Sequence, residues 1–149
     1  MKTITDLKQL YEIDDSQWLE ETVNLLKNHQ FKELDLENLI EELEDLGKEK
    51  KNAVVSLLEQ IIRYLLLWQY WTSESENNSV HWQGEIYTFR TQLNRKITTN
   101  LRNYLDSELD SIYKDALVFI KINTQNSVNF PSECPYSLAQ LLDIQWLYH

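Results

Sequence analysis

In the segment DLENLIEELEDLG, Asp35 to Gly47, apolar and acidic residues fall on two sides of one helix. At about 100° per residue, Leu36, Leu39, Ile40, Leu43 and Leu46 share one arc about 120° wide, while Glu37, Glu41, Glu44 and Asp45 project from the other side. Asp35 supplies the N-cap, with Asn38 three residues on as a weak capping box. The same phase continues past Gly47 through Val54, Leu57, Leu58, Ile61, Leu65 and Trp68. The pattern therefore predicts one helix from about Leu36 to Trp71. On that reading Gly47 lies inside the apolar arc, where its missing side chain lets another helix approach, at a propensity cost of about 1 kcal/mol.

Upstream, Asp14 and Asp15 cap a helix carrying Trp18, Leu19, Val23 and Leu26 and ending near Asn28, with Leu7 and Tyr11 packed on its start. Downstream, Thr72 to Ser79 reads as a polar turn. Trp82, Ile86, Phe89, Leu93, Ile97, Leu101 and Tyr104 then recur at three- and four-residue steps as another long helix, antiparallel to the one before it. Asp106 or Ser107 caps a further helix with Leu109, Ile112, Tyr113, Ala116, Leu117 and Ile120 on one face. After a loop, Ser137 caps a short last helix bearing Leu138, Leu141, Leu142 and Trp146. The expected fold is an all-α helical bundle, two long antiparallel helices with shorter flanking ones, in a single domain spanning residues 1–149.

Composition sharpens this picture. Only 2 glycines and 2 prolines occur in 149 residues, too few to punctuate hairpins or a parallel sheet. The formal charge of −10 disfavours nucleic acid and anionic membranes, both of which need a basic surface. The N-terminus lacks an apolar signal segment and Cys134 stands alone, so the expected location is the cytosol. The most apolar run, Ile61 to Trp71, is interrupted by Arg63 and Gln69 and falls short of the roughly 20 residues a membrane span needs.

Three blocks carry a resemblance: DLENLIEELEDLG, the WQY of Trp68 to Tyr70, and FPSECPYSLAQLLD from Phe130 to Asp143. Together with YEIDDSQW at Tyr11 to Trp18 and the spacing of Trp82, Ile86 and Arg90, they are similar over nearly the whole chain to the family called domain of unknown function 29, abundant in cyanobacteria. The resemblance implies an all-α bundle and no particular activity. A histidine and then a lysine often precede the WQY block in that family. This chain has Tyr64 and Leu67 there, which weakens a metal-ligand reading built on that histidine.

No catalytic constellation or cofactor motif emerges, so no cofactor and no metal are expected. Glu37, Glu41 and Glu44 share one face and suggest a divalent cation, but they point away from the apolar arc and no Glu-x-x-His pair accompanies them. Arg90 falls at the edge of the apolar seam, and if buried it should meet a carboxylate of the preceding long helix or of another subunit. Arg90, Arg95, Lys96 and Arg102 form a strip without an acid between Ile86 and Leu105, yet no interleaved aromatics mark it as a base-stacking surface. Cys134 reads as structural, and His29, His81 and His149 are isolated. Around Leu66, Leu67, Tyr70 and Trp71 the helix is apolar on nearly every side and must be covered all round, which points to an interface. The function expected is a protein-interaction or self-assembling accessory module with a protein partner or second copy. The alternative is a metal-dependent hydrolase or nuclease using the acidic face.

Overall fold

A computed structural model describes residues 4–147, with side chains from Asp6 onward. Six α-helices follow in order: α1 (Ile4–Ile13), α2 (Asp15–Lys27), α3 (Leu36–Tyr70), α4 (Thr72–Lys96), α5 (Thr99–Asn123) and α6 (Leu138–Leu142), with a 3-10 turn at Phe31–Glu33. The described residues contain no strand. The chain divides into two compact units, Met1–Glu49 and Lys50–His149.

In the N-terminal unit, Asp14 caps α2 by accepting from the Gln17 amide at 3.1 Å. The preceding α1 is a separate helix whose Tyr11 ring meets Trp18 edge-on at 4.9 Å, with Leu7 buried nearby in sequence. Trp18 anchors the unit. Its indole N–H donates to Oδ2 of the buried Asp35 at 3.2 Å, and Asn38 Nδ2 donates to the same oxygen at 2.6 Å. One carboxylate thus ties α2 to the start of α3 and leaves no buried donor unmet at that point. His29 closes α2 in the left-handed region, φ 57°, while the Gln30 amide reaches back to the Leu25 carbonyl at 2.8 Å, a Schellman ending without its usual glycine.

In the C-terminal unit, Val54, Leu58, Ile61 and Leu65 of α3 are buried with Trp82, Ile86 and Leu93 of α4 and Ile112, Tyr113, Ala116 and Ile120 of α5, as the spacing predicts, and Ile62 and Leu105 join them from outside the predicted positions. α3 and α4 are antiparallel: Trp71 stacks on Trp82, and further down Tyr64 stacks on Phe89. The 72–79 segment is helical, not the expected polar turn, and the reversal needs only Trp71. Ser75 explains this economy, because its hydroxyl lies 2.8 Å from the Trp68 carbonyl and supplies a donor to an acceptor that the end of α3 leaves open, while the Trp71 carbonyl already accepts from the amides of Glu74 and Ser75 at 3.1 Å.

The expected helix through Tyr104 is also broken. α4 ends at Lys96, and Thr98, not Asp106 or Ser107, caps α5 by accepting from the Leu101 amide at 3.3 Å. Ile97 and Leu101 both pack on the core, so the apolar spacing runs on across a corner where the backbone does not. α5 returns parallel to α3, with Lys51 4.9 Å from the Tyr104 ring and Arg63 3.7 Å above Phe119. Ser137 caps α6 in a full capping box with Gln140. Trp146 lies beyond α6, not on it, and packs edge-on against Tyr136.

The largest departure concerns the first turns of α3. Helix α3 is continuous through Gly47, but the arc read as core is uncovered over residues 36–46. Leu36, Ile40, Leu43 and Leu46 are 56, 53, 59 and 46 % exposed, whereas Asn38, Leu39 and Glu42 are half-buried. Tyr11 and Lys8 of α1 fix this choice of face, Tyr11 donating to Glu42 at 2.5 Å and Lys8 to Glu37 at 3.1 Å. No helix approaches Gly47: a Cβ built there meets no atom within 4 Å.

Candidate functional site

The uncovered stripe does not stand alone in the N-terminal unit. On α2, Trp18 and Thr22 face inward and Leu19, Val23 and Leu26 do not, so seven large apolar side chains from two helices are each 39–59 % exposed. Half-exposed side chains of this size leave on the order of several hundred Å² of apolar surface, the scale at which such patches mark contact sites. Residues 1–49 also hold 14 of the 24 acidic side chains and only 5 of the 14 basic ones, a formal charge of −9 against −1 for the rest of the chain. Glu37, Glu41 and Glu44, the acidic face of α3, are exposed on the same helix, and Glu37 is paired with Lys8 at 3.1 Å. Among the described residues no group of three or more His, Cys, Asp or Glu side chains gathers to hold a metal ion.

Leu66 and Leu67 are buried in the C-terminal unit's own core, Tyr70 is half-buried and meets Phe130 edge-on, and Trp71 lies against Trp82. The chain itself covers Leu66 and Leu67, and covers Tyr70 and Trp71 in part. Arg90 is fully buried, and main-chain carbonyls take the place of the expected carboxylate: Nε donates to Leu141 at 2.9 Å, Nη1 to Trp146 at 2.6 Å and Nη2 to Gln140 at 3.0 Å. Asn94, one turn on, donates to the Leu142 carbonyl at 3.1 Å. These acceptors include the open C-terminal end of α6, where the helix dipole favours a cation. Burial lowers the guanidinium pKa to about 10, and Asp143 opposes that shift. A composition rule that pairs arginine with acids misses this arrangement. The only sequence signal was the seam-edge position of Arg90.

A cleft of 540 Å³ opens in the C-terminal unit, lined by Gln60, Arg63, Tyr64, Trp71, Glu74 and His81 among others. Arg63 is paired with Glu59 at 2.6 Å one helical turn back and lies over Phe119, while its Nε is buried without a hydrogen-bond partner. His81 meets the Tyr64 ring edge-on at 6.3 Å. Burial raises the Tyr64 phenol above its ordinary value, with Glu85 adding to the shift and Arg63 opposing it. The walls offer aromatic surface and amides but no nucleophile paired with a base. Cys134 borders a separate 240 Å³ cavity with Asp110, Tyr113 and Lys114. Burial pushes its thiol up, away from the thiolate, and a backbone hydrogen bond with Tyr136 opposes that shift only in part. Arg95, Lys96 and Arg102 remain exposed, but Arg90 is withdrawn from that strip.

No helix among the described residues is long and apolar enough to cross a membrane. Comparison with curated proteins returns no match, and comparison with solved structures returns none. A family profile matches residues 10–147, nearly the whole chain, including both units described above. The chain belongs to the DUF29 family, a domain of unknown function.

Proposed function

We propose that this protein is a cytosolic accessory module that acts by protein contact, through the uncovered apolar stripes of its N-terminal unit. The observation that carries this reading is the exposure of Leu36, Ile40, Leu43 and Leu46 on a well-formed helix whose other side is tied down by Tyr11 and Lys8. A helix that turns Asn38, Leu39 and Glu42 inward and leaves four large apolar side chains half in water holds an unfavourable arrangement, which a docked partner relieves. The hydrolase alternative draws no comparable support, since among the described residues the three glutamates of the acidic face form no metal-binding group.

The test is a photo-crosslinking residue in place of Leu43, introduced in the organism that makes the protein. Adducts heavier than the chain, absent when the same residue replaces the exposed Lys121 of α5, are the expected result. Recovery of the uncrosslinked chain alone would overturn the reading.

A further inference from the structure

Resting on that reading, we infer that the N-terminal unit docks a cationic amphipathic segment of another protein, a helix with an apolar face flanked by lysine or arginine. The apolar arc of α3 from Leu36 to Leu46 offers the greasy half of such a site. Charge selects the partner. Glu44 and Glu37 follow one edge of the arc at helical spacing, with Glu41 further round, and the unit carries −9 of the chain's −10 formal charge. An amphipathic helix laid along this surface places anchors at helical steps on the arc and its flanking cations among the carboxylates. A second copy of the chain meets the opposite condition, because it brings another surface of charge −9 against the first. An anionic membrane is repelled for the same reason. An apolar segment without cations would leave the acidic border facing its own low-dielectric contact with nothing to offset the field.

The probe is a synthetic amphipathic peptide of leucine and lysine, about five helical turns long, with two controls in which glutamine or glutamate replaces every lysine. Binding to the full chain is followed by calorimetry at several salt concentrations. The lysine peptide should bind, more weakly as salt rises, and the glutamate peptide should not. Replacing Glu37, Glu41 and Glu44 together by Gln should weaken binding about tenfold or more. The double variant Ile40→Ser, Leu43→Ser keeps every charge and alters only exposed side chains, so it should fold normally and lose binding. If the glutamine or glutamate peptide binds as tightly as the lysine one, and the serine variant loses it, the apolar face docks a partner but the cationic preference is overturned. That preference is overturned equally if the wild-type chain dimerises and the serine variant does not. If wild type and serine variant bind all three peptides alike, both the partner chemistry and the contact reading fall.

Discussion

Arg90 on α4 donates its Nε hydrogen to the carbonyl of Leu141 on α6, 51 residues further along the chain, at 2.9 Å. Together with its bonds to Gln140 and Trp146, this makes a buried guanidinium the C-terminal clasp of a five-residue helix. Such a helix has no independent stability, because it closes too few of its own hydrogen bonds to offset the cost of ordering it.

Arg90→Met fills similar volume and removes all three donors. Unsatisfied buried carbonyls cost about 1–3 kcal/mol each when water cannot reach them. We expect a loss of about 3–5 kcal/mol in chemical denaturation, accompanied by fast hydrogen exchange across residues 138–147. Arg90→Lys should recover only part of this, since one ammonium cannot span three diverging acceptors. A loss under 1 kcal/mol would show that the segment is held by Leu138, Leu141 and Leu142 alone.

Tyr11 offers a pH test confined to the N-terminal unit. Its hydroxyl donates to Glu42, and this bond, followed by smaller contributions from burial and the neighbouring carboxylates, raises the phenol to about 12. A pKa raised on folding means that the bond's contribution is complete below the ordinary value near 10 and is lost as pH climbs through about 12. Ultraviolet titration should lose one tyrosine ionising near pH 12 in Tyr11→Phe, while Tyr113, which burial raises further, still ionises late. The stability of Tyr11→Phe should also change less than that of wild type between pH 10 and 12. An unchanged titration curve would place the late phenol elsewhere.

At Gly47 the helix carries a residue that favours disorder, and space surrounds the missing side chain. Gly47→Ala should therefore stabilise the free protein by about 1 kcal/mol, read as a higher denaturation midpoint with an unchanged slope. A destabilised variant would mean that the backbone at Gly47 departs from ordinary helix.

The helical period made α3 legible across Gly47 because one phase serves all ten turns. Ser137 was legible as a cap because its side chain and that of Gln140 exchange hydrogen bonds within four residues. Elements settled by distant partners were not legible. Within TSESENNS itself, the Ser75 hydroxyl meets the Trp68 carbonyl at the end of α3, a role that a run of polar residues does not announce. Apolar spacing cannot separate a straight helix from a corner at Thr98 that keeps Ile97 and Leu101 on the same core. At the candidate site, the amphipathic pattern of residues 36–46 was plain, but a stripe that faces water has the same period as one that faces a core. The side chains that decide between them, Lys8 and Tyr11, lie about thirty residues away.

The clasp at Arg90 also orders events in time. Its acceptors at residues 140, 141 and 146 are polymerised 50, 51 and 56 positions after it. At about 5–20 residues per second, α4 exists for several seconds on the ribosome with a guanidinium that has no carbonyl to hold. Until those carbonyls arrive the guanidinium lacks all three of its native acceptors, and burying it unpaired would be costly. The N-terminal unit, whose Trp18 and Asp35 are only 17 residues apart, can form during that interval.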